Sequence, residues 1–566
     1  MDLTLPLRSP RSKEKKMRKL CVPSALTFCA VFCLAATLAA GDAVVHGVVT
    51  DAAGKPVRGA IVKATAGNLS VSGYSQNDGR YEISVPAGTY DISAEAYGFG
   101  PKRQSKDASQ PGETNFTLSP RLDVARLSGA EIDSLLPDNA QTRMIRATCI
   151  SCHNFDTIIK RRGNTSEQWQ EFLPNMTGDR QMFQPKFSPE QLAALGAALE
   201  KYFGPDAPYF GPDSDAPTAD QIKHASISDA ALKASYREYR VPTSEAWVHS
   251  VAVDSTRDIA WFSEYDYLSN KVGRFDIATQ KFTEYPVPSP KSVPHTPIVG
   301  KNGILWMTLD AKGVPAKLAS VDPATGVLQE YKWPEKQAGT HTVVVAPDGN
   351  LWMSSMTSPD EFLGFDVETG KFKAFKHPLP DKYPEESTGA WQQYAGKPIG
   401  ITYAVAVDSK GNVWYTETML GTIARLDPKT GETTEFKPPE TPDMDGIIVD
   451  MQDNVWFSDF TGNKLGKLDT KTMKFTMYQP PTLKARPYGI ALDKKTGNIW
   501  YADFSGNNIT RFDPKTAQFV EYPIPTRGAY PRFVGLDSKG RVWFGEWWNN
   551  KLGMLDPEGS QTLASR

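Results

Sequence analysis

Size and charge set the first limits on what this chain can be. It has 566 residues, with 63 Lys and Arg against 65 Asp and Glu, and a formal net charge of −2. Residues 1–40 hold seven of the basic and two of the acidic residues, so the remainder carries −7. A mildly acidic surface gives no support for nucleic-acid binding. The length excludes a single domain, and shifts in composition predict three.

The first 40 residues have the composition of a secretory signal peptide. A basic start at Met17-Arg18-Lys19 precedes an apolar stretch from Leu20 to Ala40 that is rich in small residues near its end. Cleavage between Ala39 and Ala43 predicts a periplasmic or secreted protein with no stable membrane span. Because the stretch is almost long enough to cross a bilayer, an uncleaved anchor is the alternative.

Residues 44–120 alternate apolar and polar side chains in short strands separated by turns. The segment resembles the carboxypeptidase regulatory-like domain, a small Greek-key β-sandwich. The residues that carry the resemblance are Gly47, Asp51, Gly54, Ala60, Asp78, Gly79, Tyr81, Pro86 and Tyr90. The resemblance implies a spacer or a binding appendage, and nothing in the segment indicates catalysis.

The run Cys149-Ile150-Ser151-Cys152-His153 carries the most specific chemistry in the chain. Two thiols one turn apart can add to both vinyl groups of a haem, and the adjacent histidine can bind the iron. A zinc site needs two further ligands and a redox Cys-x-x-Cys needs a βαβ context, and the flanking sequence supplies neither. The other cysteines all lie in the leader, at Cys21, Cys29 and Cys33. We therefore predict covalent haem c, with His153 as an iron ligand.

Residues 125–205 have the capping signals and the apolar periodicity of a small all-α domain. One predicted helix delivers the thiols to the haem, and an apolar helix closes the domain. The segments that predict the helices are Met144–Cys152, Asn164-Thr165-Ser166 with the residues after it, and Ser188-Pro189 with the residues up to Gly204.

This arrangement resembles a small cytochrome c domain. The resemblance implies that the iron is held by His153 and by a methionine that precedes the last helix. Met176 follows Trp169 by seven residues, as in many such domains, and is the predicted sixth ligand, with Met182 as the alternative. A buried core methionine is the other interpretation of either residue.

After a linker at 206–235, residues 236–566 repeat a unit of four short strands. A tryptophan marks the second strand of each unit, at positions 261, 306, 352, 414, 456, 500 and 543. Seven such units predict a seven-bladed β-propeller. The last unit stops at Asp556 without a fourth strand, and a spare match at Tyr236–Pro242 precedes the first unit. The N-terminal strand is therefore expected to close the ring and remove its open edge.

Two sets of residues recur at fixed positions in the units and are expected to meet at one mouth of the central channel. The first set enters the innermost strand and consists of His249, His295, His341, Tyr403, Asp445, Tyr488 and Arg532. The second set follows each tryptophan by three residues and consists of Glu264, Leu309, Ser355, Glu417, Asp459, Asp503 and Glu546. Polar residues line any wet channel, but three histidines at one position of consecutive blades indicate a site.

The repeat resembles the virginiamycin B (streptogramin) lyase family of seven-bladed propellers. The resemblance implies catalytic histidines in the final blades, with a nearby carboxylate and Mg²⁺. Here those positions hold Tyr488 and Arg532, although Glu546 keeps the carboxylate. Because arginine cannot act as a general base near neutral pH, the ring-opening elimination of the family is not expected.

The histidines of the first three blades are instead predicted to bind a substrate or a divalent metal in the channel. The predicted catalytic set is His249, His295, His341, Glu264, Glu417, Glu546 and Arg532. An insertion at 378–398, which contains Trp391 and Tyr394, is predicted to form a lid over that side.

The sequence thus predicts a multidomain, mainly β protein: a β-sandwich, an all-α cytochrome c domain and a propeller. The first functional hypothesis is a periplasmic cytochrome whose propeller binds or oxidises a small molecule and whose haem exchanges electrons with a periplasmic redox partner. The second is a lyase acting on a cyclic or lactone substrate. The third is a binding module without catalysis.

Overall fold

The computed structural model describes residues 42–150, 153–174, 187–215, 217–218, 220–222, 224–266, 268–309, 317–333, 340–355, 361–376, 402–418, 420–440 and 443–559. The predicted leader, Cys152, Met176, Met182 and the insertion 378–398 lie outside the described residues. Within the described ranges, no helix is long and apolar enough to cross a membrane.

The N-terminal part is a β-sandwich of two sheets. Its strands are β1 (Ala43–Asp51), β2 (Ile61–Ala66), β3 (Leu69–Tyr74), β4 (Arg80–Val85), β5 (Thr89–Glu95), β6 (Lys102–Asp107) and β7 (Phe116–Leu118). One sheet has the order β4-β1-β7, and the other contains β3-β2-β5-β6. Alternate side chains of the strands point inward, so that Val45, Val62, Tyr81 and Ile92 are buried in one core.

The helices follow the sandwich. They are α1 (Gly129–Leu135), α2 (Ala140–Cys149), α3 (Phe155–Ile158), α4 (Ser166–Phe172) and α5 (Pro189–Phe203), with 3₁₀ turns at Val124–Arg126 and Ile159–Arg161. Four of them begin with reciprocal caps, which pair Ser128 with Glu131, Asn139 with Thr142, Thr165 with Gln168, and Ser188 with Gln191. These caps satisfy free backbone N–H groups and set where each helix starts.

The rest of the chain forms seven blades. Six have four strands each. Blade one consists of β9 (Val248–Asp254), β10 (Ile259–Glu264), β11 (Lys271–Asp276) and β12 (Lys281–Pro286), blade two of β13 (Pro294–Val299), β14 (Leu305–Leu309), β15 (Lys317–Val321) and β16 (Leu328–Lys332), and blade three of β17 (Thr340–Val345), β18 (Leu351–Ser355), β19 (Glu361–Asp366) and β20 (Lys371–Lys376). Blade four consists of β21 (Thr402–Val407), β22 (Val413–Glu417), β23 (Thr422–Leu426) and β24 (Thr433–Phe436), blade five of β25 (Met444–Val449), β26 (Val455–Asp459), β27 (Lys464–Asp469) and β28 (Lys474–Tyr478), and blade six of β29 (Pro487–Leu492), β30 (Ile499–Asp503), β31 (Asn508–Asp513) and β32 (Gln518–Pro523).

The seventh blade consists of β33 (Val534–Leu536), β34 (Val542–Glu546), β35 (Lys551–Asp556) and β8 (Ser235–Arg240), which comes from before the first blade. The innermost strands contact one another in order around the ring, and β33 contacts β9. The ring is therefore closed, and the first residues of its seven innermost strands surround one channel.

The fourth strand of blade seven also joins the propeller to the sandwich. On one side β8 pairs antiparallel with β35, and on the other with β3, with Leu69 opposite Tyr239. The result is one eight-stranded sheet with the order β33-β34-β35-β8-β3-β2-β5-β6. Residues 42–566 accordingly form one compact unit. The sandwich is thus built into the sheet of a blade and is more than an appended spacer.

A hydrogen-bonded aspartate stabilises the tryptophan of several blades. Asp408 follows the first strand of blade four and accepts from the indole Nε1 of Trp414 at 3.0 Å, the side chain of Asn412 at 2.8 Å and two backbone N–H groups. Asp450 and Asp537 accept from Trp456 and Trp543 in the same way. The aspartate therefore connects the turn between the first two strands to the buried indole.

We expect Asp408→Ala to lower the free energy of unfolding by about 1–3 kcal/mol, because the buried indole and amide lose their acceptor. Urea unfolding followed by tryptophan fluorescence measures the change. Asp427→Ala in the same blade is the control, since the Asp427 side chain accepts, among the described residues, only from the backbone N–H of Lys429 in an exposed turn. Equal losses in the two variants would contradict this role of Asp408.

Candidate functional site

The predicted haem-binding run lies at the end of α2. Cys149 is buried and is the last residue of that helix. His153 is also buried, and neither of its ring nitrogens makes a hydrogen bond of normal geometry. Burial lowers the pKa of His153 to about 4, which the backbone of Asn154 opposes in part. The imidazole is therefore neutral at physiological pH and has a lone pair available for a ligand.

A cavity of about 160 Å³ opens beside these two residues. It is lined by Cys149, His153, Thr157, Ile158, Arg161, Trp169, Phe172, Leu173, Leu199 and Trp548. Trp169 is 2 % exposed, and its indole N–H has no hydrogen-bond partner. The guanidinium of Arg161 lies 3.5 Å from the ring centroid of Phe172. The cavity thus has apolar walls, two unsatisfied buried nitrogen groups and one cation.

The residues that follow His153 attach this cavity to the propeller. The side-chain amide of Asn154 donates to the carbonyl of Phe504 at 2.7 Å, and its oxygen accepts from the hydroxyl of Ser505. The hydroxyl of Tyr530 donates to the carboxylate of Asp156. Both contacts are made to loops that precede or follow strands of blades six and seven, on the side where the innermost strands begin.

A buried ion cluster provides a second attachment. Asp133 of α1 is fully buried and lies 2.7 Å from Nε of Arg146, 3.1 Å from Nζ of Lys484 and 3.2 Å from Nη2 of Arg486. Burial alone would raise the pKa of Asp133, but the three cations outweigh it and hold that pKa below its usual range. Since two of the cations belong to the propeller, the helices and the propeller share one charge network.

The seven channel residues predicted from the innermost strands lie together in a buried ring, which we call the central ring. Its members are His249, His295, His341, Tyr403, Asp445, Tyr488 and Arg532, and each is at most 7 % exposed. Neighbouring ring centroids lie 4.3 Å apart for His249 and His295, and 4.1 Å apart for His295 and His341. The ring centroids of His341 and Tyr403 are also 4.1 Å apart. The three histidines therefore form one packed row.

All three histidines of the central ring are neutral. Burial lowers the pKa of His341 to about 3 and holds the pKa values of His249 and His295 well below the usual range, with Arg532 contributing. The Nδ1 atoms are engaged by Ser250, Thr296 and the carbonyl of Tyr403. Because a carbonyl only accepts, Nδ1 of His341 carries the proton and its Nε2 is an acceptor.

The other half of the central ring combines two phenols with one cation. The hydroxyls of Tyr403 and Tyr488 share a hydrogen bond, and Nη1 of Arg532 donates to Tyr488 at 2.8 Å. Burial raises the pKa of Tyr488 to about 12. Burial also raises the pKa of Asp445 well above its usual range, although Arg532 opposes the shift. Neither phenol is therefore ionised at neutral pH.

Three of the carboxylates expected at the same mouth, Glu264, Glu417 and Glu546, have partners in the outer strands of their own blades. Burial next to Glu284 raises the pKa of Glu264 to about 8, and Lys271 is its other charged neighbour. Glu546 lies with Glu238 and Lys551, and the hydroxyl of Thr422 donates to Glu417. These partners belong to the third and fourth strands of the same blades. The charged neighbours of Glu264 therefore belong to its own blade.

Among the residues that the structure describes, no three His, Cys, Asp or Glu side chains are placed to hold a metal ion.

Sequence reasoning missed the aromatic residues that surround the central ring. Tyr265 stacks on His249 with ring centroids 4.6 Å apart, and the indole of Trp547 lies 5.5 Å from the same histidine. Trp547 is followed by Trp548, which lines the cavity at His153. A signal was present, because two consecutive tryptophans after Glu546 depart from the repeat, where one tryptophan marks each unit.

Comparison with known proteins supports two parts of this architecture. Residues 392–565 match the Virginiamycin B lyase family, and residues 44–119 match the carboxypeptidase regulatory-like domain. The chain therefore contains a virginiamycin B lyase-like β-propeller. It also contains a carboxypeptidase regulatory-like domain. These matches confirm the predicted mainly β, multidomain fold. Both matches lie outside the helices, so a cytochrome c domain is not shown.

Solved structures similar to the chain are also lyases of this type. A streptogramin B lyase structure is 22 % identical, with a TM-score of 0.50 and coverage of 58 % of this chain and 99 % of the lyase. Virginiamycin B lyase from Staphylococcus aureus is likewise 22 % identical, with a TM-score of 0.48 and coverage of 57 % and 99 %. No curated protein matches the chain. The first similarity shows the fold of the propeller.

The neutral histidines make stability depend on pH. His341 has a pKa of about 3 in the folded protein against 6.5 when exposed, so the unfolded chain binds more protons between these values. The contribution of His341 to the free energy of unfolding is therefore fully present above about pH 6.5 and is lost as the pH is lowered toward 3.

We expect the free energy of unfolding of His341→Gln to fall less steeply than that of the wild type between about pH 7 and pH 5, as measured by urea unfolding. His46→Gln, on an exposed strand position, is the control, and equal slopes for His341→Gln and wild type would contradict this assignment.

Proposed function

We propose that this protein is a periplasmic c-type cytochrome whose propeller binds a small molecule and whose haem exchanges single electrons with a redox partner. The observation that carries the proposal is the state of His153. Its neutral imidazole is buried beside the thiol of Cys149, faces a cavity and makes no hydrogen bond of normal geometry with either nitrogen. A buried polar group left unpaired is costly, and a ligand at that position would remove the cost.

The residues around the cavity fit a haem c. Cys149 supplies one thioether linkage, and Cys152, which lies outside the described residues, would supply the second. The apolar side chains of Ile158, Phe172 and Leu199 suit the faces of the macrocycle. The indole N–H of Trp169 and the guanidinium of Arg161 suit the carboxylates of its propionates.

Bound at this site, a haem c supplies one-electron chemistry at its iron. The chain's own contribution is to position and insulate it. His153 offers a neutral nitrogen ligand, and the apolar walls exclude water from the site. The predicted sixth ligand, Met176 or alternatively Met182, lies outside the described residues and stays a prediction. The predicted secretory leader supports the same compartment, because haem is attached to this motif outside the bacterial cytoplasmic membrane.

The central ring supports a binding role for the propeller. It offers uncharged imidazoles and phenols for hydrogen bonding, aromatic faces for stacking and a single cation at Arg532. This set suits a small molecule with polar groups on an aromatic or apolar frame. The substrate and the redox partner would meet the protein at different surfaces of one rigid unit.

We expect full-length protein, produced with a haem-attachment system, to carry haem that acid-acetone does not extract. Removal of both thiols in Cys149→Ala/Cys152→Ala should abolish this, because no thioether can form. Absorption spectra before and after extraction, together with the mass of the intact chain, measure the attachment. His153→Ala is the matched variant, since it should keep covalent haem but change its spectrum. Extractable haem or zinc in the native protein would overturn the proposal.

A second candidate function is lyase activity on a cyclic or lactone substrate. The observation that favours it is the match of residues 392–565 to the Virginiamycin B lyase family. It ranks second because Tyr488 and Arg532 occupy the positions where the resemblance implies histidines. A phenol with a pKa of about 12 and a guanidinium offer no general base near neutral pH.

We therefore expect no opening of a cyclic depsipeptide lactone by the purified protein, with or without Mg²⁺. Mass spectrometry of the substrate after incubation measures ring opening. The histidines could be restored in the variant Tyr488→His/Arg532→His as a comparison for gain of activity. Robust turnover by the wild type that depends on Mg²⁺ and Glu546, and that survives loss of both Cys149 and Cys152, would put the lyase first.

A further inference from the structure

A propeller residue forms part of the haem cavity. Trp548 lies in the 3₁₀ turn Trp547–Asn549 after β34 and lines the cavity together with Cys149 and His153. It is 39 % exposed, whereas the adjacent Trp547 is 7 % exposed. The haem pocket is therefore completed by the loop that also borders the central ring.

From Trp548 an unbroken row of aromatic contacts leads to the central ring. The indoles of Trp548 and Trp547 are stacked with centroids 5.8 Å apart and an interplanar angle of 23°. Trp547 then lies 5.5 Å from the imidazole of His249. The guanidinium of Arg532 sits 4.0 Å from the centre of the same indole. Both steps between rings therefore join neighbouring aromatic side chains.

The two ends of this row are held in place relative to each other. Tyr530 contacts Trp548, with ring centroids 6.3 Å apart. The hydroxyl of Tyr530 also donates a hydrogen bond to Asp156, three residues after His153. Asn154, directly after His153, is bonded to Phe504 and Ser505 of blade six. The indoles, the residues that follow His153 and the blade loops are therefore connected by hydrogen bonds and ring contacts.

We propose that Trp548 and Trp547 form the electron path between the haem and the central ring, and that the molecule oxidised at the ring is a phenol or hydroquinone. This inference rests on the proposed function. The aromatic row supplies contact without a gap between the two sites, so neither site needs to open for the electron to cross.

The residues of the central ring indicate which class of substrate it can bind. Nε2 of His341 can accept a hydrogen bond from a phenolic O–H, because Nδ1 carries the proton, and the rings of Tyr265 and Trp547 lie next to His249. Arg532 is placed to stabilise the negative charge that a phenol gains when its proton leaves. A carboxylate-rich ligand would instead need several cations, and the described part of the ring has one.

The reaction balances without a covalent step on the protein. A hydroquinone loses two electrons and two protons and leaves as the quinone. A haem c held by Cys149 and His153 would accept these electrons one at a time, and a one-electron acceptor outside the protein would reoxidise it between the two transfers. The two protons are released to water as the quinone forms.

The test uses the full-length, haem-loaded protein in the oxidised state, mixed with 1,4-hydroquinone without oxygen. We expect the wild type to bind hydroquinone and to form ferrous haem. Trp547→Leu and Trp548→Leu should each slow haem reduction at least about tenfold, equivalent to about 1.4 kcal/mol in the activation barrier. Trp547→Phe and Trp548→Phe should stay close to the wild-type rate, because the row of rings is kept.

Three further measurements separate an electron path from a structural role. Reduction by dithionite, which needs no bound substrate, should be unchanged in all four variants, as should the reduction potential of the haem in Trp547→Leu. Hydroquinone binding, measured by calorimetry, should also be unchanged in Trp548→Leu. Trp247→Leu is the matched control, because Trp247 contacts both indoles but does not line the cavity. It should reduce at the wild-type rate.

The outcomes distinguish this inference from the proposed function. Covalent haem with wild-type rates in both leucine variants would overturn the path and leave the cytochrome assignment standing. If the protein carries covalent haem but hydroquinone neither binds to the protein nor reduces the haem, the proposed substrate class is overturned. A lowered dithionite rate or a shifted potential in Trp547→Leu would assign the residue a structural role only. Protein without covalent haem would overturn the proposed function and the path together.

Discussion

Closure of the propeller ring is the constraint on which the candidate site depends. Blade seven is completed by β8, whose backbone pairs with β35 on one side and with β3 of the sandwich on the other. An open blade would leave an unpaired edge and let the ring relax. With the ring closed, seven innermost strands begin around one channel, and residues far apart in the chain, such as His249 and Arg532, come within electrostatic reach of each other.

The helices acquire their position from the same closed ring. Their attachment includes the fully buried carboxylate of Asp133, which is compensated by cations from both sides of the contact. Breaking a buried ion pair leaves an uncompensated charge and costs about 3–5 kcal/mol, so this contact resists separation. The helix α1, with the helix that ends at Cys149, is thus held against the propeller. Proximity of the two sites follows from packing.

Burial decides the chemistry of the central ring. The imidazoles of His295 and His341 are 1 % and 2 % exposed, which disfavours their charged forms and leaves Arg532 as the cation that faces them. Neutral imidazoles accept hydrogen bonds that imidazolium rings cannot accept. Glu264 and Glu546 have their charged neighbours in the outer strands of their own blades.

The sequence by itself determined the periodic features of this protein. The recurring tryptophans predicted the blades, the alternation of residues 44–120 predicted the sandwich strands, and the spacing of the innermost positions placed the ring residues in one register, because these features depend on local period. Only the tertiary structure decided which charged groups neighbour Glu264 and that β8 also pairs with β3. It alone placed Trp548 in the cavity at His153, since contacts between distant segments depend on how closed sheets and helices pack and leave no periodic trace in the chain.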